Sequence, residues 1–207
     1  MVTIAIVIIT SAVSLINMQN SEFKELYMFN AWAIKHRRQW YRFFTGGLLH
    51  ADFMHLGFNM LALYSFGDIV ERTFCQDGLF GPQLGSLMFA LMYLTALPIS
   101  SLYSYFKHKD NVYYNALGAS GAVSAVVYSA ILFYPLSELQ VFFIPMTSWI
   151  FGIVYLVASW AMARKNIGNI GHDAHFWGSV YGFIFPIVFY PFTFGLFAGQ
   201  LVESFTR

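Results

Sequence analysis

A chain of 207 residues that is 58% hydrophobic, 20% aromatic and only 10% charged, at a mean hydropathy of +0.59, lacks the polar surface to cover a water-soluble globule. The net charge of +1 and the lack of a basic run leave nothing to neutralise phosphates, so a nucleic-acid partner is excluded. The single cysteine, Cys75, rules out an intrachain disulfide and a thiolate metal cluster and reads as a small buried apolar side chain. What is left is an all-α, multi-pass membrane protein whose 207 residues form one domain.

Residues 2–17, rich in Ile and Val, predict a first span. No basic residue precedes them, which argues for a retained helix over a cleaved secretory signal. Residues 19–45 mix Glu22, Lys24, Glu25, Lys35, Arg37, Arg38 and Arg42 with Phe23, Tyr27, Trp32, Trp40 and Tyr41. Basic and aromatic residues together suit the headgroup region, so short amphipathic pieces lying on the bilayer are expected there, with membrane lipids as partners.

The second predicted span, 50–70, carries His50, Asp52, His55 and Asn59, which hydrocarbon should exclude. His55 and Asn59 are four apart and share a helix face, with Asn59 about 6 Å further along the axis. Such a face either lines a cavity or bonds to a neighbouring helix. A third span is expected over 84–106, where Pro98 falls inside the helix.

The fourth span, 118–134, opens with Gly118-Ala119-Ser120-Gly121 and stops at Pro135. At about 25 Å it is shorter than the hydrocarbon core, so one end is recessed. A serine at a helix N-terminus faces unpaired N–H groups and the positive end of the dipole, which favour a developing oxyanion. The fifth span is predicted over 139–163, a glycine-containing connector over 164–173, and the sixth span over 175–194, opening with His175.

Six spans alternate sides, so the second, fourth and sixth begin on one face of the membrane, and His50, His55, Ser120 and His175 lie at comparable depth. Gly178 and Gly182 form a small-residue face below His175. Gly121, Ala125 and Ser129 form another below Ser120, so the two helices can approach closely. Serine needs a base to take its proton, and His175 is the candidate. The oxyanion would be held by the Ser120 N–H, the Asn59 amide and a ring N–H of His55. Asp173 is too near in sequence to orient His175. A metal reading, from His172, Asp173 and His175 with His50, Asp52 and His55, lacks a His-Glu-x-x-His pattern, so no metal and no cofactor are expected.

Taken together, these residues resemble the rhomboid family of intramembrane serine proteases, in the same order over about 42–182. The similar stretches are Gly118-Ala119-Ser120-Gly121, Ala174-His175 with Gly178 and Gly182, and the run from His50 to Asn59 with His55. The resemblance implies a six-helix core that cuts transmembrane protein substrates with a Ser-His dyad and no cofactor. It also implies that the fifth span and the 164–173 loop act as gate and cap. Arg42 is similar to a first-loop arginine of the family, although Trp40 is displaced by one, and Glu71 to a loop-bracing acid. Ser124 stands where many members carry a tyrosine that stacks on the base. The alternative is a catalytically silent relative that only captures transmembrane helices, and a third reading is a transporter. Basic residues crowd the site-side loops, which argues for a cytoplasmic site, whereas the resemblance implies an outward one. Oligomeric state is not encoded in these motifs. If the source is bacterial, the membrane expected is the plasma membrane.

Overall fold

The computed structural model describes residues 1–141, 144–165 and 171–206. Most of them are helical. The first helix, α1 (Val2–Gln19), is inside out by the standards of a soluble protein. Its Thr3, Thr10, Ser14 and Asn17 are buried, while Ile4, Ile8, Ile9 and Ile16 are exposed. That pattern follows from a solvent as apolar as the side chains it meets, with the polar stripe finding its partners inside the protein.

Three short helices, α2 (Ser21–Tyr27), α3 (Ala31–Arg37) and α4 (Arg42–Thr45), fill the segment after α1. Asn20 and Asn30 cap the first two, accepting from the N–H groups of Phe23 and Ala33. Phe29, Ala31, Ile34 and Phe43 make a small core of their own. A two-residue strand, β1 (Phe29–Asn30), pairs antiparallel with β2 (Asn115–Ala116), which precedes the serine turn.

The helices α5 (Phe53–Phe74), α6 (Gly81–His108), α7 (Ser120–Phe133), α8 (Ser148–Lys165), α9 (His172–Phe189) and α10 (Phe192–Thr206) build the rest. On α5, Leu56, Asn59, Met60, Leu63, Gly67, Val70 and Phe74 are buried at three- and four-residue spacing, which is one helical stripe. α7 has no such stripe, because every residue from Gly121 to Leu132 is buried. An all-round apolar helix of 14 residues is the element a bundle wraps, and α5, α6, α8 and α9 all pack against it. Pro98 is accommodated within an unbroken α6, and Pro82 sits in its first turn.

Among the described residues two helices are long and apolar enough to cross a membrane, Val2–Gln19 and Gly81–His108. α9 and α10 pass that test only as a pair, bent by 115°. Several expected bounds change. Residues 138–141 and 144–147 do not begin a helical span but form two antiparallel strands, β3 (Glu138–Val141) and β4 (Ile144–Thr147). In β3, exposed Glu138 and Gln140 alternate with half-buried Leu139 and Val141, a period of two. The expectation of purely helical structure is corrected to that extent. Pro191 disfavours helix at the residue before it, so α9 stops at Phe189 instead of running to 194. α10 was not anticipated. α5 starts at Phe53, capped by Asp52 through the His55 N–H, which leaves His50 and Asp52 off the span. Cys75 is half-buried, not fully enclosed. Of the connector expected at 164–173, residues 166–170 lie outside the described residues.

Candidate active site

The serine turn is held from three sides. The Gly118 N–H donates to the Gly46 carbonyl at 3.0 Å, and Gly118 has φ +122°, where an L side chain is strained. Space forbids a side chain as well, since a Cβ there would fall 2.7 Å from Cε1 and 2.8 Å from Nε2 of His55. That same point is 3.8 Å from Ser120 Oγ, so the imidazole of His55 and the hydroxyl of Ser120 flank one glycine. Asn30 ties the turn further, its amide donating to Asn115 Oδ1 at 2.8 Å. Ser120 is the first residue of α7, at the positive end of a helix whose body is fully buried.

Below Ser120, α7 and α9 touch backbone to backbone. A Cβ on Gly178 would come within 2.8 Å of the Gly121 carbonyl carbon, and one on Gly182 would overlap the backbone of Ala125. On the other side of α7, a Cβ on Gly121 would meet Ser100 Cβ at 2.8 Å. These glycines bring α9 near enough that His175, in its first turn, opens into the same cavity as Ser120, His55 and Asn59. The cavity has a volume of about 1200 Å³. Its walls run from Met28 and Arg42 past Phe58, Ala62 and Phe66 of α5 to Phe151 and Tyr155 of α8.

Among the described residues, His175 Nε2 is buried with no hydrogen-bond partner. Asn59 is buried and donates from Nδ2 to its own helix, at the His55 carbonyl, 2.9 Å. Asp173 faces Lys107 at 3.6 Å and not His175. His172 meets the His175 ring edge-on, with centroids 5.8 Å apart. No three His, Cys, Asp or Glu side chains are grouped as metal ligands among the described residues.

The supporting residues divide into near and far. His50 is fully buried and touches both α1, through Ser14 Oγ at 2.8 Å, and the serine turn, through the Ala119 N–H at 3.4 Å. Arg42 is buried and donates to the carbonyls of Glu25 and Met28 at 2.9 and 2.7 Å and to Gln39 Oε1 at 2.7 Å, closing the segment between α2 and α4. Burial holds its guanidinium below the ordinary arginine range. Glu71 is elsewhere. Sixteen residues along α5 from His55, it accepts from the N–H groups of Val2 and Thr3, from Thr3 Oγ1 and from Ser86 Oγ, at 2.7–2.9 Å. It braces the N-terminal turns of α1 and α6.

One contact has no counterpart among the sequence-derived candidates. Tyr155 of α8 lies over the His175 ring, and its hydroxyl meets Ser124 Oγ at 2.9 Å. A tyrosine in a predicted span carries no signal of its own, and only the serine at 124 marked the place it fills.

A helical membrane protein with a serine at a buried helix start and an imidazole on the helix packed beside it is the class these features define. Residues 37–192 match the Rhomboid domain, and the chain belongs to the rhomboid family. It is 34% identical over 134 residues to the rhomboid protease GluP of Bacillus subtilis (strain 168), covering 65% of this chain and 24% of that one. It is 29% identical over 149 residues to the mitochondrial RHOMBOID-like protein 12 of Arabidopsis thaliana, covering 65% and 42%. With the mitochondrial Rhomboid protein 1 of Saccharomyces cerevisiae (strain ATCC 204508 / S288c) it shares 28% over 141 residues, covering 66% and 38%. The matches thus take in between about a quarter and two fifths of these relatives' lengths.

Proposed function

We propose that this chain is an intramembrane serine endopeptidase that hydrolyses peptide bonds in or near the transmembrane segments of other membrane proteins, without metal or cofactor. In this reading α1, α5, α6, α7, α8 and α9 are six spans, and α7 is the short, recessed fourth. His175 takes the proton of Ser120 Oγ as the hydroxyl attacks the carbonyl, then returns it to the leaving amine. The oxyanion is met by the Ser120 N–H, the Asn59 amide and His55. The substrate helix reaches them between α5 and α8, where Phe58, Ala62 and Phe66 face Phe151 and Tyr155 across the cavity. α8 and the 164–173 loop serve as gate and cap. In a bacterium the enzyme sits in the plasma membrane, although relatives with mitochondrial names mark another membrane for the family.

The observation that supports this most is the shared cavity of Ser120 and His175 on two helices that touch backbone to backbone at Gly121 with Gly178 and at Ala125 with Gly182. The test is cleavage of a single-span substrate by reconstituted protein. Ser120→Ala and His175→Ala are each expected to abolish it while leaving thermal unfolding unchanged.

The partnerless His175 Nε2 is the one observation that favours the other reading, a silent relative that captures transmembrane helices. A fluorophosphonate separates the two. Labelling of Ser120 that is lost in His175→Ala supports the enzyme, and binding of a transmembrane helix with no labelling supports the silent form.

A further inference from the structure

Among the described residues no carboxylate holds the His175 ring. Its Nε2 has no hydrogen bond among the described residues, and the neighbouring carboxylate, Asp173, is turned to Lys107. The ring is gripped instead by other rings. His172 stands against its edge, and Tyr155 lies along its face, with centroids 6.1 Å apart and planes 24° from parallel. Offset stacking at that separation is attractive and directional, so it restricts the imidazole's tilt without taking up either nitrogen.

Tyr155 is itself restrained. Its hydroxyl shares a hydrogen bond of 2.9 Å with Ser124 Oγ, a side chain 4% exposed. Its ring packs against Phe151 at 5.7 Å and Tyr128 at 6.2 Å. Ser124 lies four residues after Ser120 on α7 and therefore on the same helix face, one turn along. The chain of contacts from Ser124 through Tyr155 to His175 ties the face of α7 that carries the serine to the ring on α9, through a side chain of α8.

We propose that Tyr155 is a positioning residue for His175, and that Ser124 is the anchor that sets the tyrosine ring over the imidazole. This rests on the dyad reading, and it adds a consequence: the helix lining the cavity opening also carries the restraint on the base. An outward movement of α8 lifts Tyr155 off Ser124 and frees the imidazole, so base alignment and cavity closure are one event.

The full chain in proteoliposomes is tested with a single-span peptide substrate, with Ser120→Ala as the blank. Tyr155→Leu is expected to lower kcat about 10- to 100-fold, the scale of a misplaced catalytic group, with KM within about twofold of the parent. Tyr155→Phe keeps the ring and loses only the anchor, for about a three- to tenfold loss, and Ser124→Ala gives the same. The double variant Ser124→Ala/Tyr155→Phe is expected to be no worse than either single change, since both remove one bond. A second readout does not need turnover. The 13C-labelled Cε1–H resonance of His175 should shift and broaden in Tyr155→Leu and stay narrow in Tyr155→Phe. The proposal is overturned if Tyr155→Leu keeps the parental kcat, if its loss is confined to KM, or if the His175 resonance is unchanged. If the parent shows no Ser120-dependent cleavage, the protease reading has failed, and the resonance alone decides whether Tyr155 positions the ring. If Tyr155→Leu does not fold, equal and non-additive losses in Ser124→Ala and Tyr155→Phe support the proposal, and additive ones end it.

Discussion

The main-chain N–H of Ala119 donates to Nε2 of His50, 69 residues away, at 3.4 Å. That bond settles the imidazole's tautomer. Nε2 accepts, so the proton is on Nδ1, which donates to Ser14 Oγ at 2.8 Å, and the serine hydroxyl donates in turn to the Leu48 carbonyl at 2.7 Å. A neutral, fully buried histidine thereby bolts the serine turn to α1. His50→Ala leaves the Ala119 N–H without a partner and opens a void. A stability loss of about 1–3 kcal/mol is expected, seen as a lower Tm in detergent, with slower Ser120 labelling. Ser14→Ala, which removes only the outer bond, should cost less.

The contact between α7 and α9 predicts a sharp contrast among glycines. Gly182→Ala forces a methyl into the backbone of Ala125, so the helices must separate, at a cost of about 1–3 kcal/mol or more and with loss of cleavage. Gly57→Ala on α5 meets nothing within 4 Å and should be neutral or stabilising by up to about 1 kcal/mol, as expected for alanine in a helix. Thermal unfolding of both variants checks the pair.

The Asn59 amide tests the proposed oxyanion contact. Its amide bonds to the His55 carbonyl in the resting structure, so Asn59→Ala should fold with little change in Tm. If the amide meets the oxyanion, kcat falls about 100- to 1000-fold with KM little changed. An equal effect on KM alone would assign Asn59 to substrate binding instead.

Glu71 predicts a structural effect remote from chemistry. Replacing it by alanine strips acceptors from the Val2 and Thr3 N–H groups and from two hydroxyls. Hydrogen exchange at the start of α1 should accelerate and Tm should fall, while a short soluble inhibitor still labels Ser120 at close to the parental rate. Glu71→Gln, which keeps one acceptor oxygen, should lie between.

The parts of the fold legible in the sequence were those written as local pattern. The apolar runs of α1, α5, α6 and α7, the glycine-framed serine and the small residues at 178 and 182 all follow from spacing along one helix. What was not legible depended on partners. Residues 138–141 and 144–147 are as apolar as a helix start, and only the two-residue alternation of β3 against a paired strand marks them as sheet. Glu71 reads as a loop brace until the first turn of α1 is found beside it. Ser124 meets the hydroxyl of Tyr155, yet no periodicity in α8 singles out Tyr155 over Phe151 as the ring that stacks on His175, because stacking is a property of two helices at once.

The all-round burial of α7 has a consequence for the surrounding bilayer. Since no side chain from Gly121 to Leu132 meets lipid, acyl chains have no direct hold on the helix that begins with Ser120. Thickness mismatch acts on the peripheral rods, α1 and α6, which can tilt to absorb it. The height of the hydroxyl is thus inherited from protein neighbours, and a change of lipid length reaches it only after those neighbours have moved.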